Sequence, residues 1–298
     1  MNQFRELSAF VAVAEEEAFN GAARRLNVSP SGVTRLINAM EERIGARLFT
    51  RTTRQVSLTD AGRRLYGEAG RILEEVEQAE ALAAGAHQMP SGTLRLTAPV
   101  LFGQRYLMPI VRDFLDTYPT VSVSAGFLDR VVHILDEGFD VALRIGHLED
   151  TSLYAVRVGT ARRIVVASPG YLKSHGTPAK PSELADHQVV LPGGLFGQET
   201  WTFRAGGKPV VAKLKPRLSS TSITAGIDSA IAGWGITRVL SYQVADALAD
   251  GRLVEILGEW DTEEMPISLL YPEGRQAAAK IRVFVDFAAE RLRAGQGL

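Results

Sequence analysis

The chain has 298 residues, 46% hydrophobic and 22% charged, with 28 glycines, 13 prolines and no cysteine. That composition excludes collagen-like, low-complexity and largely disordered chains. Without thiols there is no disulfide framework, iron–sulfur cluster, thiolate zinc site or cysteine nucleophile.

The length suggests about two domains. No uncharged apolar run reaches the roughly 18 residues a membrane span needs. Three glutamates follow the short apolar run near the N-terminus, unlike a secretory signal. A cytoplasmic protein without membrane contact is expected, and absent cysteine fits a reducing compartment. The net charge of −1 hides an asymmetry. Between Asn20 and Tyr66 lie Arg24, Arg25, Arg35, Arg43, Arg47, Arg51, Arg54, Arg63 and Arg64, opposed only by Glu41, Glu42 and Asp60. That segment carries a net six positive charges and the rest of the chain seven negative ones. One small region is suited to a polyanion, although a solvated basic face has the same composition.

The first stretch is helical, with Leu7, Phe10, Val11, Val13 and Ala14 at helical spacing. Asn20 can cap a short second helix through Leu26, and Asn27 and Val28 make a tight connection. Ser29 then Pro30 is a strong helix start, a hydroxyl for the orphan amides before proline at the first helical position. The third helix runs to Gly45, with Val33, Leu36, Ile37, Met40 and Ile44 as its buried face. Its outward face near the start shows Ser31, Gly32, Thr34, Arg35 and Asn38. Ala46 to Thr59 predicts a hairpin with a basic tip at Arg51, Thr52, Thr53 and Arg54. Thr59 opens a long helix with a heptad seam at Leu65, Ala69, Ile72, Val76, Ala79, Ala83 and Ala86, a rod of roughly 45 Å. Self-pairing of that helix is expected, because no neighbouring segment supplies a partner face.

Pro90, Ser91 and Gly92 end the helix and mark a domain boundary. Strands then alternate with helices: strand 94–98, helix 101–118, strand 121–127, helix 131–137, strand 141–145, and strands 153–158 and 163–167. A second run follows with strand 189–191, β segments near Trp201 and Val210, helix 222–233, strand 235–240 and helix 243–249. The chain closes with strand 267–271 and helix 277–293. This order argues an α/β domain with a largely parallel sheet.

Two helices joined tightly, the second opening on an exposed polar face, fit a helix-turn-helix. The second helix suits the major groove, where Arg35 could take guanine and Ser31, Thr34 or Asn38 could reach bases or phosphates. Gly32 leaves room for close approach, Asn20 and Ser29 complete the DNA-facing set, and Arg51 and Arg54 suit backbone or minor groove. A small helical bundle has the same hydrophobic pattern.

Residues 18–49, AFNGAARRLNVSPSGVTRLINAMEERIGARLF, with TRTTRQVSLTDAG after them, resemble the winged helix-turn-helix of the LysR-type transcriptional regulators. YPTVSVSAGF, DVALRIG, VVASPGYLKSHGTP, PSELADH, AGWGIT and DGRLVEIL extend the likeness over essentially the whole chain. The resemblance implies a mainly α winged helix-turn-helix over 1–58, a linker and dimerisation helix over 59–89, and an effector-binding domain over 90–298. That last domain would be α/β and two-lobed, similar to type 2 periplasmic binding proteins, with one lobe at about 92–160 and 267–293 and the other at about 161–266. It also implies double-stranded DNA and a small-molecule effector as partners, and a homodimer or homotetramer. Gly32 stands where the family usually has alanine, Thr237 and Arg238 replace the apolar pair of many members, and Leu240 stands where proline is common.

In open α/β sheets ligands lie beyond strand ends, where helix N-termini point. Pro99, Val100 and Leu101 open one such helix, and Thr221, Ser222, Ile223 and Thr224 another. A small carboxylate is expected there, although Thr221 or Ser222 could simply cap a helix. The resemblance adds Phe127, Leu128, Arg144, Gly146 and Phe196 to the cleft border. Arg238 either faces that cleft or lies on the surface. No enzyme, cofactor or metal site is expected: His87, His133, His147, His175 and His187 are scattered without ligand spacing. No nucleophile elbow or phosphate loop occurs, and Gly233-Trp234-Gly235 lacks a dinucleotide fingerprint. Asp129, Asp136, Asp140 and Asp150 are explained by loop and helix ends. The rival class is a cytosolic solute-binding or catalytic α/β protein whose N-terminal helices serve only assembly.

Overall fold

The computed structural model describes residues 3–51, 56–83, 89–148, 153–193, 200–205, 208–260, 264–272 and 277–295. Two units, Met1–Gln88 and Met89–Leu298, each carry their own core.

In the first unit α1 (Gln3–Glu16), α2 (Phe19–Arg25) and α3 (Pro30–Ile44) precede a hairpin of β1 (Phe49–Arg51) and β2 (Val56–Leu58), then α4 (Asp60–Ala83). Phe10, Val13, Ala22, Val33, Ile37, Met40, Leu48 and Phe49 are buried together. The Phe49 ring lies 5.3 Å from that of Phe10 and 6.1 Å from that of Phe19, so the wing is pinned to the helices by aromatic packing. Ser29 Oγ accepts from the Gly32 amide at 3.1 Å with Pro30 at the first helical position, as the sequence predicts.

Three expectations change here. Asn20 is no cap: α2 starts at Phe19 after Ala18, with no side-chain cap, and Asn20 sits inside the helix. Ile44 is exposed, because α3 ends there and its last turn leaves the core. The start of α4 does have a partner face: Ala69 is buried in the unit's own core, with Leu65, Tyr66 and Leu73 against it beside α1. Ile72 remains exposed. Ala86 lies outside the described residues, as do the side chains of Ala79 and Ala83.

The second unit opens with β3 (Gly92–Ala98), then α5 (Val100–Phe102), a π-helical turn over Gly103–Leu107 and α6 (Met108–Thr117) in continuity. β4 (Val121–Phe127), β5 (Val141–Ile145), β6 (Tyr154–Ala167), α7 (Pro169–His175) and β7 (Val189–Pro192) follow. A hairpin of β8 (Thr200–Ala205) and β9 (Lys208–Lys213) leads to β10 (Pro216–Ser220), α8 (Ile223–Ile231), β11 (Ile236–Leu240) and α9 (Ala245–Ala249). β12 (Val254–Ile256), β13 (Glu264–Tyr271) and α10 (Ala279–Ala294) complete it.

The main sheet runs β10-β7-β11-β6-β13-β5-β3-β4, with β12 also on β6. It is mixed rather than largely parallel, because β6 and β13 pair antiparallel with all their neighbours. The two strands expected at 153–158 and 163–167 are one, β6, carried past a bulge opposite Ile267 and Ser268. The helix expected at 131–137 is replaced by turns. There Arg130 donates to both oxygens of Glu137 at 2.7 and 2.6 Å, closing the segment on itself. One core packs α6 and α10 on the sheet through Leu94, Leu96, Phe114, Leu143, Leu269 and Phe284. Along the end of β6, Val165 and Ala167 enter a core with Trp201 and Phe203, while Ile164 and Val166 face α8, a clean period of two.

Candidate DNA-binding and effector sites

On α3, Ser31, Arg35 and Asn38 are exposed, and Gly32 and Thr34 half-buried, so spacing of three and four aligns them on one face. Thr34 Oγ1 donates back to the Pro30 carbonyl at 3.0 Å, and the Ser29 and Ser31 hydroxyls lie 3.1 Å apart. No ion pair or hydrogen bond among the described residues holds the Arg35 side chain, unlike its neighbours. Arg25 is held by Glu15, Arg43 by Glu6, Arg47 by Glu41 and Arg63 by Asp60. The basic surplus read from composition is thus partly spent inside the unit.

The sequence reading took Glu41 as a mere opposing charge and overlooked Glu6. Both are buried, at 4% and 3% exposure. Glu41 Oε1 accepts the amides of Leu48 at 2.8 Å and Phe49 at 3.2 Å, and Oε2 accepts from Arg47 at 2.7 Å. One carboxylate therefore ties α3 to the first wing strand. Its signal was legible, since Glu41 lies four residues after Ile37 on the buried stripe. Thr59 caps α4 through the Gly62 amide at 3.0 Å and donates to the Arg47 carbonyl at 2.7 Å. A Cβ on Gly62 would stand 2.2 Å from the Leu48 carbonyl oxygen, so only glycine lets α4 meet the wing. The Arg51 backbone pairs with Val56, while Thr52, Thr53 and Arg54 lie outside the described residues.

In the second unit the two expected helix starts border one apolar core. Leu101 and Ile223 pack against one cluster of Ile227, Val239, Val244 and Leu253. The Val100 amide, expected to be open, donates to Asp129 Oδ1 at 3.0 Å, just after Pro99. Phe127 is wedged against the π-helical turn: a Cβ on Gly103 would stand 2.4 Å from its ring. Leu128 is half-buried, its amide on the Ala98 carbonyl at 2.9 Å. Thr221 and Ser222 are exposed, and Ser222 Oγ caps α8 by accepting from Ala225 at 3.2 Å. Arg238 is half-buried with its guanidinium 4.8 Å from the Phe203 ring centre and 5.9 Å from that of Trp201, a cation–π arrangement. Arg144 and Gly146 line a different space, a cavity of about 620 Å³ beside β5. Phe196 lies outside the described residues.

The sequence reading also missed a tie across the sheet. The Phe102, Tyr106 and Tyr242 rings meet at 4.9 to 5.9 Å, and Arg105 pairs with Asp246 at 3.2 Å. Burial pushes the Tyr242 phenol well above its usual range, so it stays neutral. Of the acids, Asp140 accepts the Arg95 amide at 2.8 Å, as Asp129 accepts that of Val100. His187 Nδ1 lies 3.2 Å from the Tyr171 hydroxyl, and burial lowers its pKa.

Residues 4–63 match the bacterial regulatory helix-turn-helix protein family of lysR type, and residues 87–293 match the LysR substrate binding domain. The chain belongs to the LysR-type transcriptional regulators. The regulator CrgA of Neisseria meningitidis is 34% identical over 292 residues, 96% of each chain. The regulator PgrR of Escherichia coli is 32% identical over 288 residues, 95% of this chain and 96% of its own. The solved structure of CrgA superposes with a TM-score of 0.61 at 33% identity, over 97% of this chain and 98% of that one. Full-length AphB of Vibrio cholerae gives 0.62 at 27% identity, over 97% and 99%. This LysR-type regulator therefore has a DNA-binding helix-turn-helix and an effector-binding domain, and it is a regulator rather than an enzyme. No described helix is long and apolar enough to cross a membrane.

Proposed function

We propose that this regulator works in the cytoplasm as a homodimer or homotetramer, reading DNA with the start of α3 and clamping the backbone with the wing tip. The observation that carries the reading is Arg35: exposed, without an ion pair among the described residues, and centred on the polar face of a capped helix. A guanidinium in that state has no protein partner to give up before it turns to guanine, whereas Arg25, Arg43, Arg47 and Arg63 would have to leave their carboxylates. The wing residues Thr52, Thr53 and Arg54 supply phosphate contacts.

The effector is a small carboxylate held between a lobe of about 92–160 and 267–293 and one of about 161–266. Leu101 and Ile223 supply apolar cover, and Thr221 and Ser222 the hydroxyls. Ligand closure shifts the population between two lobe arrangements by its differential affinity.

Gel-shift titrations against a panel of mutated operators test the DNA half. Arg35→Ala costs about 1–3 kcal/mol and relaxes specificity at one base pair, while Arg54→Ala weakens all sequences alike and flattens the salt slope. Identical behaviour of the two variants across the panel would refute the division into reader and clamp.

A further inference from the structure

The cavity beside β5 belongs to one side of the sheet. Its described walls come from the 131–136 segment, the end of β5 and the residues after it, Leu153 and Leu270. No described residue between 161 and 266 lines it. At about 620 Å³ it falls within the range of small-molecule sites.

We infer that this cavity is a second ligand site, separate from the one between the lobes, that takes a carboxylate on an apolar body with Arg144 as its anchor. Arg144 lines the cavity, and its Nη2 is buried with no hydrogen-bond partner among the described residues. Nη1 makes only a long contact of 3.4 Å to the adjacent Leu143 carbonyl. A buried guanidinium N–H without an acceptor is costly, and the fork geometry of that group matches a carboxylate. Burial accordingly lowers the Arg144 pKa. The nearby carboxylate of Glu137 is not free to answer it, since both its oxygens are held by Arg130.

Beside the polar His133, Asp136 and His147, the cavity offers apolar walls for a hydrocarbon body. Val132, Ile134 and Leu270 are buried around it. At the mouth Val131 is 84% and Leu135 55% exposed, an apolar surface left open by the described residues. Gly146 holds the end of β5 at φ +137°, a conformation that side-chain-bearing residues rarely adopt, and its amide donates to the Pro266 carbonyl at 2.9 Å.

The test is calorimetric titration of the full-length protein with 4-phenylbutyrate and with its uncharged amide, 4-phenylbutyramide. The acid binds and the amide binds at least tenfold more weakly. Arg144→Leu weakens the acid at least tenfold. Val131→Asp, at an exposed position that carries no packing, places a like charge at the mouth and weakens it several-fold. Ser222→Ala leaves it unchanged. If Arg144→Leu fails to fold, Val131→Asp and the acid–amide comparison decide. No binding by wild type, equal binding of acid and amide, or unchanged affinity in Val131→Asp overturns the proposal. So does a loss in Ser222→Ala as large as in Arg144→Leu, which would return the probe to the space between the lobes.

Discussion

Glu41 joins two parts of the DNA-binding unit with a single carboxylate. Its oxygens take two wing amides and one guanidinium, so Glu41→Gln presents a buried NH2 group where only acceptors fit. We expect a loss of about 1–3 kcal/mol, the usual penalty for an unmatched buried polar group. Urea denaturation measures it, and a loss below about half that range would mean the wing is held by Phe49 packing instead. Gly62→Ala tests the same junction from the α4 side. A methyl 2.2 Å from a carbonyl oxygen forces the backbones apart, so it destabilises by about 1–3 kcal/mol as overpacking does, with DNA affinity falling alongside. Ala in place of Gly at exposed position 67, where no atom lies within 4 Å, gives the control and is neutral or stabilising.

Element by element, local chemistry was readable and long-range closure was not. Ser29 and Pro30 announced α3, and Thr59 announced α4, because a cap needs only its next three residues. The strand at 163–167 was readable from its apolar run, but the alternation of Ile164 to Ala167 between two cores was not, since all four residues are apolar. The helix expected at 131–137 failed because Arg130 and Glu137 close a turn that apolar spacing cannot reveal. Among the site residues, Leu101 and Ile223 border one core while Arg144 lines the cavity beside β5, since strand ends do not tell which face a residue takes. For α4, the first half of the expected seam serves the unit's own core, leaving Ile72 as the first exposed apolar position. Replacing both Ile72 and Val76 with Asp should therefore spare folding yet separate dimers, because buried charge at a pairing surface costs several kcal/mol. Light scattering gives the mass, and an unchanged mass in a folded variant sinks the role of α4 as the dimer seam.

At the scale of the whole second unit, two devices span the sheet. One is the ring cluster of Phe102, Tyr106 and Tyr242 with the Arg105–Asp246 pair. Tyr242→Leu removes two ring contacts and leaves a gap, so it should cost about 1–3 kcal/mol in urea unfolding. Arg105→Ala should cost under about 1 kcal/mol, as its exposed pair suggests. The other device is β6. Its residues up to Arg162 pair with β13, and those from Arg163 pair with β11. One unbroken strand thus serves both halves as a torsion bar: turning one half against the other must wind the peptide units at 161–163. Those amides would then act as a strain gauge, exchanging hydrogen for deuterium at a rate set by twisting, and a ligand that locks the halves would slow them before any other strand.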